Sequence, residues 1–261
     1  MKEYQILVDS ASDLKNDYLV DDEIGFKVIP LTINVNDREY VDNDDLDCKA
    51  MLNDMHASKK NSSACPAPES FLQEFENAKY TFIVTITSKL SGCYNSACVA
   101  KNSYKNPDNI FVIDSKQCSG TEILIVDKLA SLIKSGLSFE EIQKEIIKYT
   151  EGRSLYFILQ KFDNLINNGR MSKIAGLIAS TLVIRPICIA HEGEIKMAKK
   201  IIGLKNCFVK LVQMIKEKAK DFSKDKIIIT HCFAENEANQ IKEDLEKNCN
   251  FKEIQIMPMR G

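Results

Sequence analysis

The run Phe82-Ile83-Val84-Thr85-Ile86-Thr87 is short, apolar and β-branched, and Ser88-Lys89-Leu90-Ser91-Gly92-Cys93-Tyr94-Asn95-Ser96-Ala97 follows it into a helical pattern that reaches Lys101. An apolar run of this length with no polar alternation reads as a strand buried on both faces, which calls for a parallel sheet covered by helices. The arrangement recurs twice. Tyr4-Gln5-Ile6-Leu7-Val8 ends in Asp9-Ser10-Ala11-Ser12-Asp13-Leu14, and Ile110-Phe111-Val112-Ile113 ends in Asp114-Ser115, then Cys118-Ser119-Gly120-Thr121 before a long helix. Three strands of one sheet therefore end in Ser and Asp, at the edge where open α/β sheets bind ligands. Helix-start N–H groups beside hydroxyls suit a carboxylate or phosphate. An ordinary capped helix behind a polar turn is the competing reading of residues 88–97. No Gly-x-Gly-x-x-Gly and no Gly-Lys-Ser/Thr follows any of these strands, which argues against a dinucleotide or P-loop site and leaves a hydroxyl-lined anion site.

The 261 residues suffice for one large or two modest domains. A formal charge of −2, with both signs interspersed, gives no footprint for nucleic acid or an anionic membrane surface. The nine cysteines are odd in number and never spaced Cys-x-x-Cys, and no signal peptide precedes them, so reduced thiols in a cytoplasm are expected. His56, His191 and His231 share no ligand spacing, so neither a metal nor another cofactor is expected. The apolar stretch Ile174 to Ala190 contains Gly176, Arg185 and Pro186, which makes a core helix and strand a better parse than a membrane span.

The pattern predicts an α/β protein with an N-terminal domain over residues 1–150, whose sheet is mainly parallel, and a C-terminal α/β domain over 151–261. Residues 27–35 read as one strand, with a turn at Asn36-Asp37 and a return strand at 38–41. Asp42 to Asp47, four aspartates in six residues, reads as a solvated turn capping the next helix. Ser62 to Pro68 reads as an extended loop before a helix that starts after Pro68. Helices are predicted over 121–134 and 138–149, the second with a Ser138/Glu141 capping box. The second half reads as strand 155–159, helix 163–167, helix 173–182, strand 183–190, a turn at Glu192-Gly193 and strand 194–198. Helix 204–222, strand 226–230, helix 234–247 and strand 253–257 complete it.

Helix 173–182 is apolar on nearly every side, through Ile174, Leu177, Ile178 and Leu182, and carries small residues that allow close packing on a neighbour or a ligand. Gly169 suits a left-handed helix C′ position, and Ser172 can cap the next helix. Arg170 lies between them, where it can pair with a ligand carboxylate in bidentate fashion or with Asp163.

These pieces, in order, resemble the DegV family of bacterial lipid-binding proteins. The matching segments are Val8-Asp9-Ser10-Ala11-Ser12-Asp13-Leu14; Ser63-Ala64-Cys65-Pro66-Ala67-Pro68 with Phe71; Leu90-Ser91-Gly92-Cys93-Tyr94-x-Ser96-Ala97; Asp114-Ser115 with Ser119-Gly120; and Asn168-Gly169-Arg170-Met171-Ser172 through Arg185-Pro186-Ile187. The resemblance implies two α/β domains with a long-chain fatty acid of the palmitate or oleate type in a tunnel between them. It implies a carboxylate held at Ser63, Ser91, Gly92 and Arg170, and a tunnel wall that includes Ile174, Leu177 and Ile178. It further implies a non-catalytic carrier that presents its fatty acid to a separate kinase for phospholipid synthesis. Burying about 14 methylenes at roughly 0.8 kcal/mol each gives on the order of 11 kcal/mol gross, reduced by ordering the chain. The tail would then supply affinity and the polar residues orientation.

Four departures from the family pattern stand out. Ser63 replaces a threonine, Ala64 and Ala67 replace serines, and Cys93 replaces the threonine after Gly92 and reads as a buried, inert thiol. The family continues with a Gly-rich segment carrying a histidine near the carboxylate, whereas this sequence stops at Met257-Pro258-Met259-Arg260-Gly261. The second functional class is a small-molecule phosphotransferase or hydrolase, because the fold resembles part of the dihydroxyacetone kinase family. It would need a nucleotide site that the sequence does not contain.

Overall fold

The computed structural model describes residues 1–58, 60–171, 184–218 and 222–261. The chain forms two units, Met1–Arg153 together with Arg260–Gly261, and Ser154–Met259.

The first unit is built on a four-stranded parallel sheet of order β2-β1-β6-β7, with β1 at Lys2–Asp9, β2 at Ile24–Ile29, β6 at Ala78–Thr85 and β7 at Ile110–Asp114. The three strands with Ser- and Asp-rich ends are thus neighbours. The chain leaves β1 for β2 on one side and returns to β6 on the other, so the switch in strand order falls between the ends of β1 and β6. Both faces of the sheet are buried. Leu7 and Ile83 point to one face and pack with Phe71, Phe75 and Ala97 from helices α2 (Pro68–Leu72) and α3 (Cys93–Ser103) and the turn between them. Phe82, on the alternate face, lies 4.8 Å centroid to centroid from Phe139 of α5 and 6.2 Å from Phe111. Helix α5 (Phe139–Glu151) follows α4 (Gly120–Lys134) and opens on the expected box: Glu141 N–H donates to Ser138 Oγ at 3.3 Å, and Ser138 N–H donates to a Glu141 carboxylate oxygen at 2.9 Å.

Residues 27–35 are two strands in different sheets, not one. Pro30 has no N–H to give a ladder, and the Leu31 N–H turns aside to Ser10 Oγ at 3.0 Å. Beyond that break β3 (Thr32–Val35) joins an antiparallel sheet of order β4-β3-β5, with β4 at Arg38–Val41 and β5 at Asn61–Ala64. The first part of the expected Ser62–Pro68 loop is therefore strand. The aspartate run is only partly a solvated cap. Asp47 accepts from Ala50 N–H at 2.9 Å at the start of α1 (Cys48–Ala57), but Asp42 is buried beside Arg260.

The second unit contains an antiparallel sheet of order β10-β9-β8, with β8 at Tyr156–Ile158, β9 at Ile184–His191 and β10 at Glu194–Ile202. Glu192 and Gly193 both have positive φ, as a tight hairpin turn requires. β10 runs four residues past its predicted end through an irregularity between Met197 and Lys199. Helix α7 (Leu204–Lys218) packs Cys207 and Leu211 on Ile187. A parallel pair, β11 (Lys226–His231) and β12 (Glu253–Pro258), is linked by α8 (Glu235–Asn248). The predicted helix 204–222 stops short of Phe222, which opens a separate 3-10 turn. Helix 173–182, with Ile174, Leu177 and Ile178, lies outside the described residues. Among the described residues no helix is long and apolar enough to cross a membrane.

Candidate functional site

The strand ends of the parallel sheet are joined by their own side chains. Asp9, the last residue of β1, is fully buried and accepts from Ala11 N–H at 3.1 Å and from Ile86 N–H, just past β6, at 2.9 Å. Asp114, the last residue of β7, accepts from the Ser88 hydroxyl at 2.6 Å and from the Ser88 N–H at 3.2 Å. Ser10 accepts from Leu31, Ser12 donates to the Asp9 carbonyl at 2.8 Å, Ser115 donates to the Gln117 carbonyl at 2.9 Å, and Ser119 donates to Asp13 at 2.5 Å. The sequence suggested an edge lined with hydroxyls for an anion. Most of those hydroxyls instead tie the loops to one another.

Ser63 and Ser91 are the residues of that reading whose loops converge on one place. Ser63 is an exposed residue of β5, opposite Ile33 of β3. Two residues on, the Cys65 side chain lies directly against Gly92: a methyl group added there would stand 2.9 Å from Cys65 Sγ. One loop can approach the other this closely because residue 92 has no side chain. A second tie joins the same loops, the Ser96 hydroxyl of α3 donating to the Pro66 carbonyl at 2.6 Å. Ser91 is half-buried at the start of α3. Its Oγ accepts from Cys93 N–H at 3.3 Å and donates to Cys93 Sγ at 3.1 Å, so Ser91 provides the helix cap that Gly92 cannot.

Arg170 belongs to the second unit. Helix α6 (Asp163–Asn167) ends at Asn168, and Gly169 follows with φ +74°. Gly169 N–H donates to the Ile166 carbonyl at 3.0 Å and Arg170 N–H to the Leu165 carbonyl at 2.8 Å. This is the Schellman pair of bonds, with glycine in the left-handed position. The backbone of Arg170 is fixed by a helix terminus rather than left to a loop, as the Gly169 reading predicted. Its side chain is half-buried.

Beneath the serines lies a cluster that the sequence reading missed. Asp9, Asp13 and Glu122 are all buried at the same sheet edge. Burial pushes Asp13 up to about 6, against hydrogen bonds from Ser119 and from Arg260 N–H, the latter at 2.9 Å. Burial likewise raises Asp9, to about 6, opposed by the Ile86 and Ala11 N–H donors. Glu122, in the first turn of α4, is pushed well above the carboxylate range by burial and by the charges of Asp9 and Asp13. Cys93 is buried, as expected, and burial together with Asp9 raises its thiol, which stays protonated. Arg260 lies across the neighbouring acids, bonding to Asp44 at 3.1 Å and to the Asn43 carbonyl, with Asp42 at 3.9 Å. The signal for the cluster was present in the alternation of Asp9 and Asp13 with serines, but only the helix register of α4 brings Glu122 to them. Among the described residues no group of three or more His, Cys, Asp or Glu has the geometry to hold a metal ion.

Residues 3–260 match the model of a family described as "Uncharacterised protein, DegV family". A DegV domain-containing protein of Streptococcus pneumoniae is 38% identical over an alignment that covers 99% of this chain and 93% of that protein. Among solved structures, the Streptococcus pneumoniae Fatty Acid Kinase (Fak) B3 protein loaded with linoleic acid superposes with a TM-score of 0.92 at 36% identity, over 99% of this chain and 93% of that one. A DegV family protein from Eubacterium eligens loaded with heptadecanoic acid gives 0.90 at 30% identity, again over 99% and 93%. With the family match running almost end to end and the paired strand-end loops in place, the chain belongs to the DegV family.

Proposed function

We propose that this protein binds a long-chain fatty acid of the palmitate or oleate type, holds its carboxylate with Ser63, Ser91, the Gly92 turn and Arg170, and delivers it to a fatty acid kinase without doing chemistry on it. The observation that carries the reading is the 36% identity, over 99% of this chain, to a protein whose structure holds linoleic acid. The close approach of Cys65 to Gly92 and the Ser96–Pro66 hydrogen bond support the same assignment, because they join the segment that follows Ser63 to the segment that follows Ser91. A binding role rather than catalysis fits a Ser91 hydroxyl whose neighbour is a protonated thiol and not a base. A cytoplasmic location fits nine cysteines with no disulfide among the described residues.

Under this reading the apolar tail supplies most of the affinity, and the polar residues set which end enters. Titration with palmitate and with methyl palmitate tests it, on the parent protein and on Ser63→Ala, Ser91→Ala and Arg170→Ala. Loss of one hydrogen bond to a charged group costs about 1.5–3 kcal/mol, so each variant should weaken palmitate roughly 10-fold or more and leave the ester nearly unchanged. Failure of the parent protein to take up either ligand, with a melting temperature that rises on addition of ATP and Mg²⁺ instead, would point to the phosphotransferase class.

A further inference from the structure

Arg260 joins the two sheets of the first unit. Its N–H donates to Asp13 Oδ1 at 2.9 Å, in the turn that leaves β1 of the parallel sheet. Its guanidinium, 7% exposed, donates to Asp44 Oδ1 at 3.1 Å and to the Asn43 carbonyl, both in the turn that leaves β4 of the antiparallel sheet. Asp44 is held from the other side as well. Its Oδ2 accepts from Asn16 Nδ2 at 2.9 Å, and Asn16 Oδ1 accepts from the N–H of Val28 in β2 at 2.9 Å. Gly261 then lies against β3: a methyl group added there would stand 2.6 Å from Ile33 Cδ1 and 2.6 Å from Asp42 Cγ. Ile33 pairs directly with Ser63 of β5, and residues opposite one another in an antiparallel pair project to the same face.

The β4-β3-β5 sheet has three strands of four residues each, close to the smallest sheet that holds a shape. Its place in the unit therefore depends on what fastens it, and a buried guanidinium shared between a carboxylate and a carbonyl is a strong, directional fastening. Ser63 rides on the edge strand β5 of this sheet. Resting on the proposed fatty-acid function, we infer that Arg260 is a positioning residue for the ligand carboxylate: it bolts the β4-β3-β5 sheet to the strand-end turn of β1 and so fixes where the Ser63 hydroxyl stands. Arg260 acts through Ser63, and Asp44 is the acceptor that completes the bolt. A binding constellation takes its precision from such supports.

Two measurements test this. The first needs no ligand: amide hydrogen exchange of the parent protein, Arg260→Ala and Asp44→Ala. Arg260→Ala leaves Asp42 buried without its cation, so Asp44→Ala, whose side chain is 41% exposed, decides the matter if the first variant does not fold. Exchange should quicken several-fold at residues 31–35 and 61–64 and keep the parent rate at residues 4–8 and 82–85 of the parallel sheet. Rates unchanged in both sheets, or raised equally in both, would overturn the anchor. The second is titration with palmitate and methyl palmitate of the same two substitutions, alone and combined with Ser63→Ala or Ser91→Ala. Each should weaken palmitate about 5-fold alone and beside Ser91→Ala, but less than about 2-fold beside Ser63→Ala, where the positioned hydroxyl is already gone. The ester should bind equally throughout. The same palmitate loss in all three backgrounds, or an equal loss for the ester, would overturn the positioning role. Absence of palmitate binding by the parent would overturn the functional reading and the head-group role with it, while the exchange pattern still decides whether Arg260 anchors the sheet.

Discussion

Asp13→Asn should make the protein more stable at pH 8, and the reason lies in where the carboxylate sits. Asp13 is 5% exposed and adopts φ 64°, ψ 8°, a left-handed conformation that asparagine tolerates as well as aspartate. Its two oxygens accept from Arg260 N–H and Ser119 Oγ. In the variant, the amide oxygen can keep the first bond and the amide N–H₂ can donate to the serine. A carboxyl raised from 3.8 to about 6 on folding carries roughly 3 kcal/mol of differential cost for its charged form. The folded state then binds more protons than the unfolded state between those two values, so this group's contribution to stability falls as pH rises through about 6 and is restored below about 4. Removing the charge recovers that roughly 3 kcal/mol at pH 8, less about 1–2 kcal/mol for exchanging charge-assisted hydrogen bonds for neutral ones. Urea unfolding followed by far-UV circular dichroism should show Asp13→Asn more stable by about 1–2 kcal/mol at pH 8 and no longer favoured at pH 4.5. A variant less stable than the parent at pH 8, or a difference that does not change with pH, would refute the account of Asp13 as a buried carboxylate held against its desolvation.

Two further substitutions probe the frame. Phe82→Ala removes a fully buried ring that contacts Tyr4, Phe111 and Phe139 and should cost about 3–5 kcal/mol in chemical unfolding, far more than Tyr80→Leu at its half-buried neighbour. Gly169→Ala places a Cβ at φ +74°, which costs about 1–2 kcal/mol; nothing lies within 4 Å of that position, so the effect comes from the backbone alone. Because the same turn aims Arg170, palmitate affinity should fall along with stability, and a loss of stability with unchanged affinity would separate Arg170 from the head group.

The parallel sheet was legible because β1, β6 and β7 are continuous apolar runs that alternate with helical patterns, as strands buried between two layers of helices require. The capping box at Ser138 and the left-handed Gly169 were legible because each depends on residues within three or four positions. Pro30 was the visible clue that 27–35 is not one strand, but an apolar run on both sides of it masked the change of sheet. The buried acids were harder to see. Asp9 and Asp13 look like ordinary turn residues, and Asp42 like part of a solvated run, until contacts as distant in sequence as Arg260 and Glu122 close over them. Periodicity does not report contacts of that range. The same limit applies to the Ser63 and Ser91 loops, whose meeting depends on a glycine that makes room for Cys65.

The central claim is that this chain holds a fatty acid by its carboxylate. Mass spectrometry of the protein purified without added lipid, first native and then denatured, tests it most directly. The account predicts an added native mass equal to one C14–C18 fatty acid that is released on denaturation and reduced in Ser91→Ala. Protein that carries no such mass, and acquires none after incubation with palmitate or oleate, would contradict it.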